Sequence, residues 1–180
     1  MRVIAGEAKG TRLARPAGGT RPVSDRAREG MFAALGDLVG GARCLDLYAG
    51  TGALGIEALS RGASHCLFVD SSAPAIRTIR ENLSRTSFAD RSQIVRADVG
   101  RYLARPGPTF DLAFADPPYA MPAKKLLLVL AALLDRLDRN ATFVVTRSSR
   151  SSIDVIPVHF GVVRRLSYGD TLVLVCREES

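Results

Sequence analysis

The stretch "ADPPYA", residues 115–120, sets a carboxylate, two imino acids and an aromatic ring in a row directly after the apolar run "FDLAF". Proline lacks the N–H that a sheet ladder needs, so the strand stops at Asp116 and the chain leaves it stiffly. The side chains of Asp116 and Tyr119 are thereby held at a rim. Taken alone, such a rim is either chemistry or a strand-ending turn. Upstream, "DLYAGTGALG" places Gly50, Gly52 and Gly55 in the GxGxxG spacing, which lets a backbone turn sharply and a ligand approach the start of a helix. Asp70 lies 20 residues past Gly50, where an acid can accept ribose hydroxyls. These features alone fit a dinucleotide enzyme equally well. Asp46 shifts the balance, because an anion four residues before Gly50 repels a pyrophosphate and attracts an amino or sulfonium cation. Asp98 ends another apolar run, in line to accept from an adenine amino group beyond the ribose. Each acid by itself also reads as a helix cap or turn residue; the four together mark one crevice.

Those acids meet only if the elements carrying them lie side by side and run the same way. The segments 43–48, 66–70, 93–98, 110–116 and 142–147 are rich in Val, Leu, Phe and Ile and read as strands. Between them, 53–61, 73–86 and 123–135 read as helices, with a short turn near 99–104. Strand and helix in alternation imply a mostly parallel sheet covered on both faces, with ligands bound at the carboxyl ends of its strands. "VHFGVVRRLSYGDTLVLVCRE" adds two strands joined at Gly169 and Asp170, a terminal antiparallel pair. The α/β expectation is therefore a Rossmann-like, seven-stranded sheet over 41–180, preceded by an extension over 1–40. Within that extension, "RVIAGEAKGTRLARP" reads as a hairpin with apolar Val3, Ile4 and Leu13, and "GGTRPVS" as a linker. A helix capped by Ser24 follows from Asp25 to Leu38, with Ala27, Met31, Ala34, Leu35 and Leu38 on one stripe and Arg26, Arg28 and Glu29 on the remaining surface.

Composition narrows the class. A chain of 180 residues with 47% hydrophobic content can bury one core without staples. Its longest apolar run, "LLLVLAALL" at 126–134, is far shorter than the roughly 20 residues that span a bilayer, and reads as a buried helix. The opening residues carry no secretory or transit pattern, so a cytoplasmic protein with no membrane partner is expected. Cys44, Cys66 and Cys176 sit singly in apolar strands and His65 and His159 stand without partners, which favours packing over metal binding. Net charge is +7, and residues 1–28 hold seven basic against two acidic groups, leaving only +2 for the other 152. Charge concentrated on a Gly- and Pro-bearing arm suits a polyanion, since Arg and Lys gain affinity by releasing counterions from phosphates. A solvated tail in a chain of 22 arginines and 3 lysines is the plainer alternative.

"LDLYAGTGALG", the acids at 70 and 98, and "DPPY" resemble the class I S-adenosylmethionine-dependent methyltransferases, in the amino-group subclass marked by (D/N)PP(Y/F/W). "RVIAGEAKGTRL", "RPVSDRAREGMFAAL" and "YAGTGALGIEALSRGA" further resemble the RsmD family of bacterial 16S rRNA guanine-N2 methyltransferases, over nearly the full length. The resemblance implies S-adenosylmethionine as cofactor, S-adenosylhomocysteine as product, no metal, and 16S rRNA in a small-subunit particle as partner of a monomeric enzyme. It places Gly50, Gly52 and Gly55 along the methionyl part of the cofactor with Asp46 nearby, Asp70 on the ribose and Asp98 on the adenine. Arg2, Lys9, Arg12, Arg26 and Arg28 would meet RNA phosphates, although Arg26 and Arg28 could equally pair with Glu29 or Asp25.

The chemistry so implied is consistent with the residue types. An exocyclic amine delocalises its lone pair into the base and is a poor nucleophile until its hydrogens are held. Asp116 and the Pro117 carbonyl can each accept one N–H, and Tyr119 can stack on the extruded base, an interaction worth about 1–3 kcal/mol. Asp116 then orients the amine and stabilises developing positive charge more than it acts as a strong base. A nicotinamide oxidoreductase, a non-catalytic RNA-binding module and a DNA amino-methyltransferase are the rival readings. The first needs a substrate domain or proton donor that these 180 residues do not show, and the third usually carries a separate target-recognition domain, for which there is no room here.

Overall fold

The computed structural model of the chain describes residues 1–15, 23–151, 155–158 and 160–178. Strands β1 (Arg43–Leu47), β2 (His65–Asp70), β3 (Ser92–Arg96), β4 (Phe110–Ala115), β5 (Leu137–Ser148), β6 (Phe160–Tyr168) and β7 (Thr171–Glu178) form one sheet in the order β3-β2-β1-β4-β5-β7-β6. The first five run parallel; β7 is antiparallel to both β5 and β6. Helices α1 (Asp25–Leu35), α2 (Ala53–Ser60), α3 (Ala73–Thr86), α4 (Val99–Leu103) and α5 (Ala123–Leu134) cover the faces. The expected seven-stranded sheet and its terminal antiparallel pair are present.

Period-two alternation divides the core in two. Cys44, Phe68, Phe114, Val144 and Val173 face α1, α2 and α3, while Leu45, Val69, Ala115, Val145 and Leu174 face α4 and α5. The three cysteines are free thiols inside this apolar packing, and burial pushes the Cys176 thiol up to about 12. His65 begins β2, half-buried, whereas His159 and most of the linker after Arg15 lie outside the described residues. Strand order reverses between β1 and β4, so the carboxyl ends of those two strands open the crevice where such sheets take ligands.

Several boundaries differ from the sequence expectation, each for a local reason. The N-terminal segment is a minimal hairpin rather than two full strands: one antiparallel bridge joins Arg2 and Arg12, Val3 exchanges hydrogen bonds with Gly10 and Thr11 across it, and the donors of Ile4, Ala5, Glu7 and Ala8 turn to α2. Glu57 accepts from the N–H groups of Ile4 and Ala5, and the Ser60 hydroxyl accepts from that of Ala8. Helix α1 begins on Ser24, whose hydroxyl accepts the Ala27 N–H, but stops at Leu35, where Gly36 turns out of the helical region. The 3-10 turn that follows buries Val39 and leaves Leu38 at the surface, so Leu38 is not part of the apolar stripe. Helix α5 is buried on one face only; Leu126, Val129, Leu130 and Leu133 face the sheet while Leu128 is 63% exposed. Strand β5 starts five residues earlier than its apolar core, across an irregularity opposite Phe110 that accommodates Asn140 at positive φ.

Candidate functional site

The turn from β1 to α2 is built from left-handed residues. Tyr48, Gly50 and Gly52 have φ of 57°, 56° and 76°, a region that glycine enters freely and tyrosine enters only under constraint. A Cβ added at Gly50 would meet nothing nearer than a carbonyl 3.9 Å away, so that side of the turn is open for a ligand. Gly55 serves a different purpose from the one expected. A Cβ there would lie 2.4 Å from the Phe68 ring and 2.5 Å from the Cys66 sulfur, so its bare backbone is what allows α2 to lie on β2.

Two of the four acids hold this turn in place. Asp46, 1% exposed, accepts the Gly55 N–H at 2.9 Å. It braces the turn from beneath rather than offering an open surface to a cation, which corrects the simple electrostatic expectation. Burial raises its carboxyl well above the ordinary range, and the charges of Asp116 and Asp70 push the same way. Asp70 accepts the Gly50 N–H at 2.9 Å and the Ser72 N–H at 2.8 Å. A carboxylate has about four lone-pair sites, so capacity remains for a vicinal diol. Asp98 is exposed and caps α4 by accepting the Arg101 N–H at 3.0 Å. Its charge reaches Tyr48, whose phenol burial and Asp98 together push up to about 12. The Tyr48 hydroxyl lies 3.9 Å from the Met121 sulfur, bridging the glycine turn to the loop after "DPPY".

That loop is the other wall. Asp116 ends β4 one step past the register pair Ala115–Val145, which sets it beside Thr146 of β5. The Thr146 hydroxyl donates to the Asp116 carboxylate. Burial raises the Asp116 carboxyl to about 6, against the lowering effect of that hydrogen bond. Pro117 is buried and Pro118 exposed. The Tyr119 ring is 51% exposed, with its hydroxyl 2.7 Å from that of Thr171. A partly buried acceptor thus stands next to an accessible aromatic face, beside a glycine turn.

The structure separates the five basic residues. Arg2, Lys9 and Arg26 line one cleft between the N-terminal turn and α1, in company with Asp25 and Glu29. Arg12 is exposed but outside that cleft. Arg28 is fully buried: it pairs with Asp25 at 2.7 Å and Glu57 at 3.9 Å and donates to the Arg2 carbonyl at 2.7 Å. A guanidinium enclosed by carboxylates cannot meet a phosphate, which takes Arg28 out of the expected RNA contacts, whereas Arg26 is exposed along the cleft.

Three residues of this site escaped sequence reasoning: Tyr48, Thr146 and Thr171. Thr146 had a signal, a polar residue closing the apolar "FVV" at the same strand end as Asp116. The register that joins them comes only from the fold. Among the described residues, no group of three or more His, Cys, Asp or Glu side chains could hold a metal ion, and no helix is long and apolar enough to cross a membrane.

Comparison with known proteins agrees with this geometry. The sequence model of a family described as "Conserved hypothetical protein 95" matches residues 1–177. A Bacillus subtilis relative named "Putative rRNA methyltransferase YlbH" is 37% identical, over 99% of both chains. The Escherichia coli "Ribosomal RNA small subunit methyltransferase D" is 36% identical over 66% of this chain and 60% of its own length. Among solved structures, one described as "Putative methyltransferase yhhF from Escherichia coli" superposes with a TM-score of 0.86 at 28% identity, covering 100% of this chain and 98% of that one.

Proposed function

The chain belongs to the Conserved hypothetical protein 95 family, the RsmD family of the sequence resemblance, and from that membership we propose that it methylates the exocyclic N2 amine of a guanine in 16S rRNA. The observation that carries this reading is the half-buried Asp116 carboxylate, placed between an accessible Tyr119 and the open side of a glycine turn. S-adenosylmethionine supplies the electrophilic methyl group on its sulfonium sulfur. Gly50 and Gly52 shape the backbone against its methionyl part, Asp70 takes the ribose hydroxyls and Asp98 the adenine amine. Asp46 and Gly55 support that surface from within the fold.

Asp116 and the Pro117 carbonyl each accept one N–H of the guanine amine, which turns the nitrogen lone pair toward the methyl group. Tyr119 stacks on the base, and the two prolines keep both acceptors and the ring in one frame; small misplacement in such an attack geometry costs about 100-fold in rate. Methyl transfer would leave the sulfur as the neutral thioether of S-adenosylhomocysteine and the nitrogen positively charged, and the ionised Asp116 would stabilise that charge until the surplus proton is lost to water.

RNA approaches along the basic cleft. Arg2, Lys9 and Arg26 contact phosphates there, with Arg12 at its margin. Arg26 also lines a second cleft with Ser167, Tyr168 and Gly169, at the turn leading into Thr171 and hence to Tyr119. The flank of the extruded nucleotide can therefore run from Tyr119 past Gly169 to Arg26 and Lys9. The partner is a small-subunit ribosomal particle, and the enzyme acts in the cytoplasm as a monomer. Residues 1–40 serve as the RNA-contacting extension and 41–180 as the catalytic unit.

Incubation of unmodified small-subunit particles with labelled S-adenosylmethionine, followed by digestion to nucleosides, tests the assignment. Label in N2-methylguanosine with the wild-type chain and none with Asp116→Ala, at similar particle affinity, is the expected result. Equal losses of labelling and affinity in Asp116→Ala would favour a binding module without catalysis.

A further inference from the structure

Thr146 is buried, yet nothing in the glycine turn or the RNA cleft calls for it. Alternation along the strands puts Asp46 of β1, Asp116 of β4 and Thr146 of β5 on the same face of the sheet, at adjacent carboxyl ends. The Thr146 hydroxyl donates to one carboxylate oxygen of Asp116. Among the described residues the Thr146 hydroxyl donates to no other acceptor, so its proton is committed to Asp116. The other carboxylate oxygen stays available for an incoming amine.

We propose that Thr146 is a positioning residue of the transfer reaction, holding one oxygen of Asp116 so that the carboxylate stays ionised and presents its second oxygen to the substrate N–H. The inference rests on the catalytic reading of Asp116. A hydroxyl donor favours the ionised over the protonated carboxyl, because only the anion gains a charge-assisted hydrogen bond. That matters here because every other influence on Asp116 runs the other way. Burial raises its carboxyl to about 6, and no basic group offsets it. The groups facing it are few. Asp46 of the neighbouring β1 is an acid, and Val173 of β7, beyond Thr146, is apolar. From α1, Arg28 is engaged by Asp25 and Glu57, and Phe32 packs on Phe114. Arg147 points to the opposite face of β5 by alternation. Thr146 alone opposes protonation of Asp116.

Two measurements test this. The first is a 13C-carboxyl NMR titration of Asp116 in the chain without cofactor, and the second is kcat against pH on small-subunit particles. Hydrogen bonds to charged groups have the strength to move a carboxyl by about one pH unit. In Thr146→Val the NMR midpoint should therefore rise by about that much, and kcat at pH 6 should fall about fivefold while kcat at pH 8 and KM change little. Thr146→Ser, which restores the hydroxyl, should return both curves toward wild type; Thr146→Ala replaces the valine variant if that one fails to fold. An Asp116 midpoint that stays in place in the hydroxyl-free variant, or equal losses in the valine and serine variants at all pH values, would overturn the proposal. A wild-type chain that labels no rRNA would instead overturn the catalytic reading, leaving the NMR titration to decide the Thr146 contact.

Discussion

Asp116 is ionised in this fold at a cost, and the sign of that cost can be worked out. Its carboxyl titrates at about 6 in the folded chain, above the ordinary 3.8, so between those values the folded state binds more protons than the unfolded one. Stability therefore falls as pH rises through that window. Asp116→Asn removes the ionisation while keeping an acceptor for Thr146, and should stabilise the protein by about 1–3 kcal/mol at pH 8, a gain that shrinks below pH ~6. Thermal denaturation at the two pH values checks this, alongside loss of methyl transfer. Arg28 makes the opposite case. Arg28→Met takes the more distant of two cations from the buried Glu57, which keeps Arg61 at 2.8 Å, and leaves the Arg2 carbonyl without its donor, so unfolding should become easier by about 1–3 kcal/mol. The salt dependence of RNA binding should be unchanged. Arg26→Ala should do the reverse, leaving stability intact and flattening the log–log salt slope by about 0.7–0.9.

At the scale of elements, the site depends on how closely α2 approaches β2. Gly55 sits against Phe68 and Cys66 with no room for a methyl group, and its N–H is held by Asp46. Gly55→Ala must push α2 outward, which should destabilise the fold by about 1–3 kcal/mol and weaken S-adenosylhomocysteine binding in calorimetry, although the residue need not touch the cofactor. Much of this was legible beforehand. The alternation of apolar strands with capped helices, the glycine turn and the strand-ending prolines are local signals, and each points to the observed element. The role of Gly55, the burial of Arg28 and the pairing of Thr146 with Asp116 depend instead on which elements become neighbours. The helix start "DRARE", four charged residues around one alanine, shows no mark that one arginine will be buried between Asp25 and a glutamate 29 positions later.

For the molecule as a whole, the N-terminal segment is fastened to the α/β sheet unit rather than appended to it. Val3 and Leu13 belong to the same apolar cluster as Phe32, Ile56 and Phe68, and Glu57 and Ser60 on α2 take its backbone donors. The helix that begins at the glycine turn is thus the helix on which the basic cleft rests. Deleting the segment would expose Glu57 as well as remove Arg2 and Lys9, so charge substitution is the cleaner probe of RNA contact. The central claim is that a methyl donor in the glycine turn faces an amine held by Asp116 and Pro117. A crystal structure of the chain with bound S-adenosylhomocysteine tests this most directly. The account predicts the sulfur within a side chain's reach of Asp116, with the ribose on Asp70. A sulfur lodged elsewhere, with residues 116–119 facing away from it, would contradict the account.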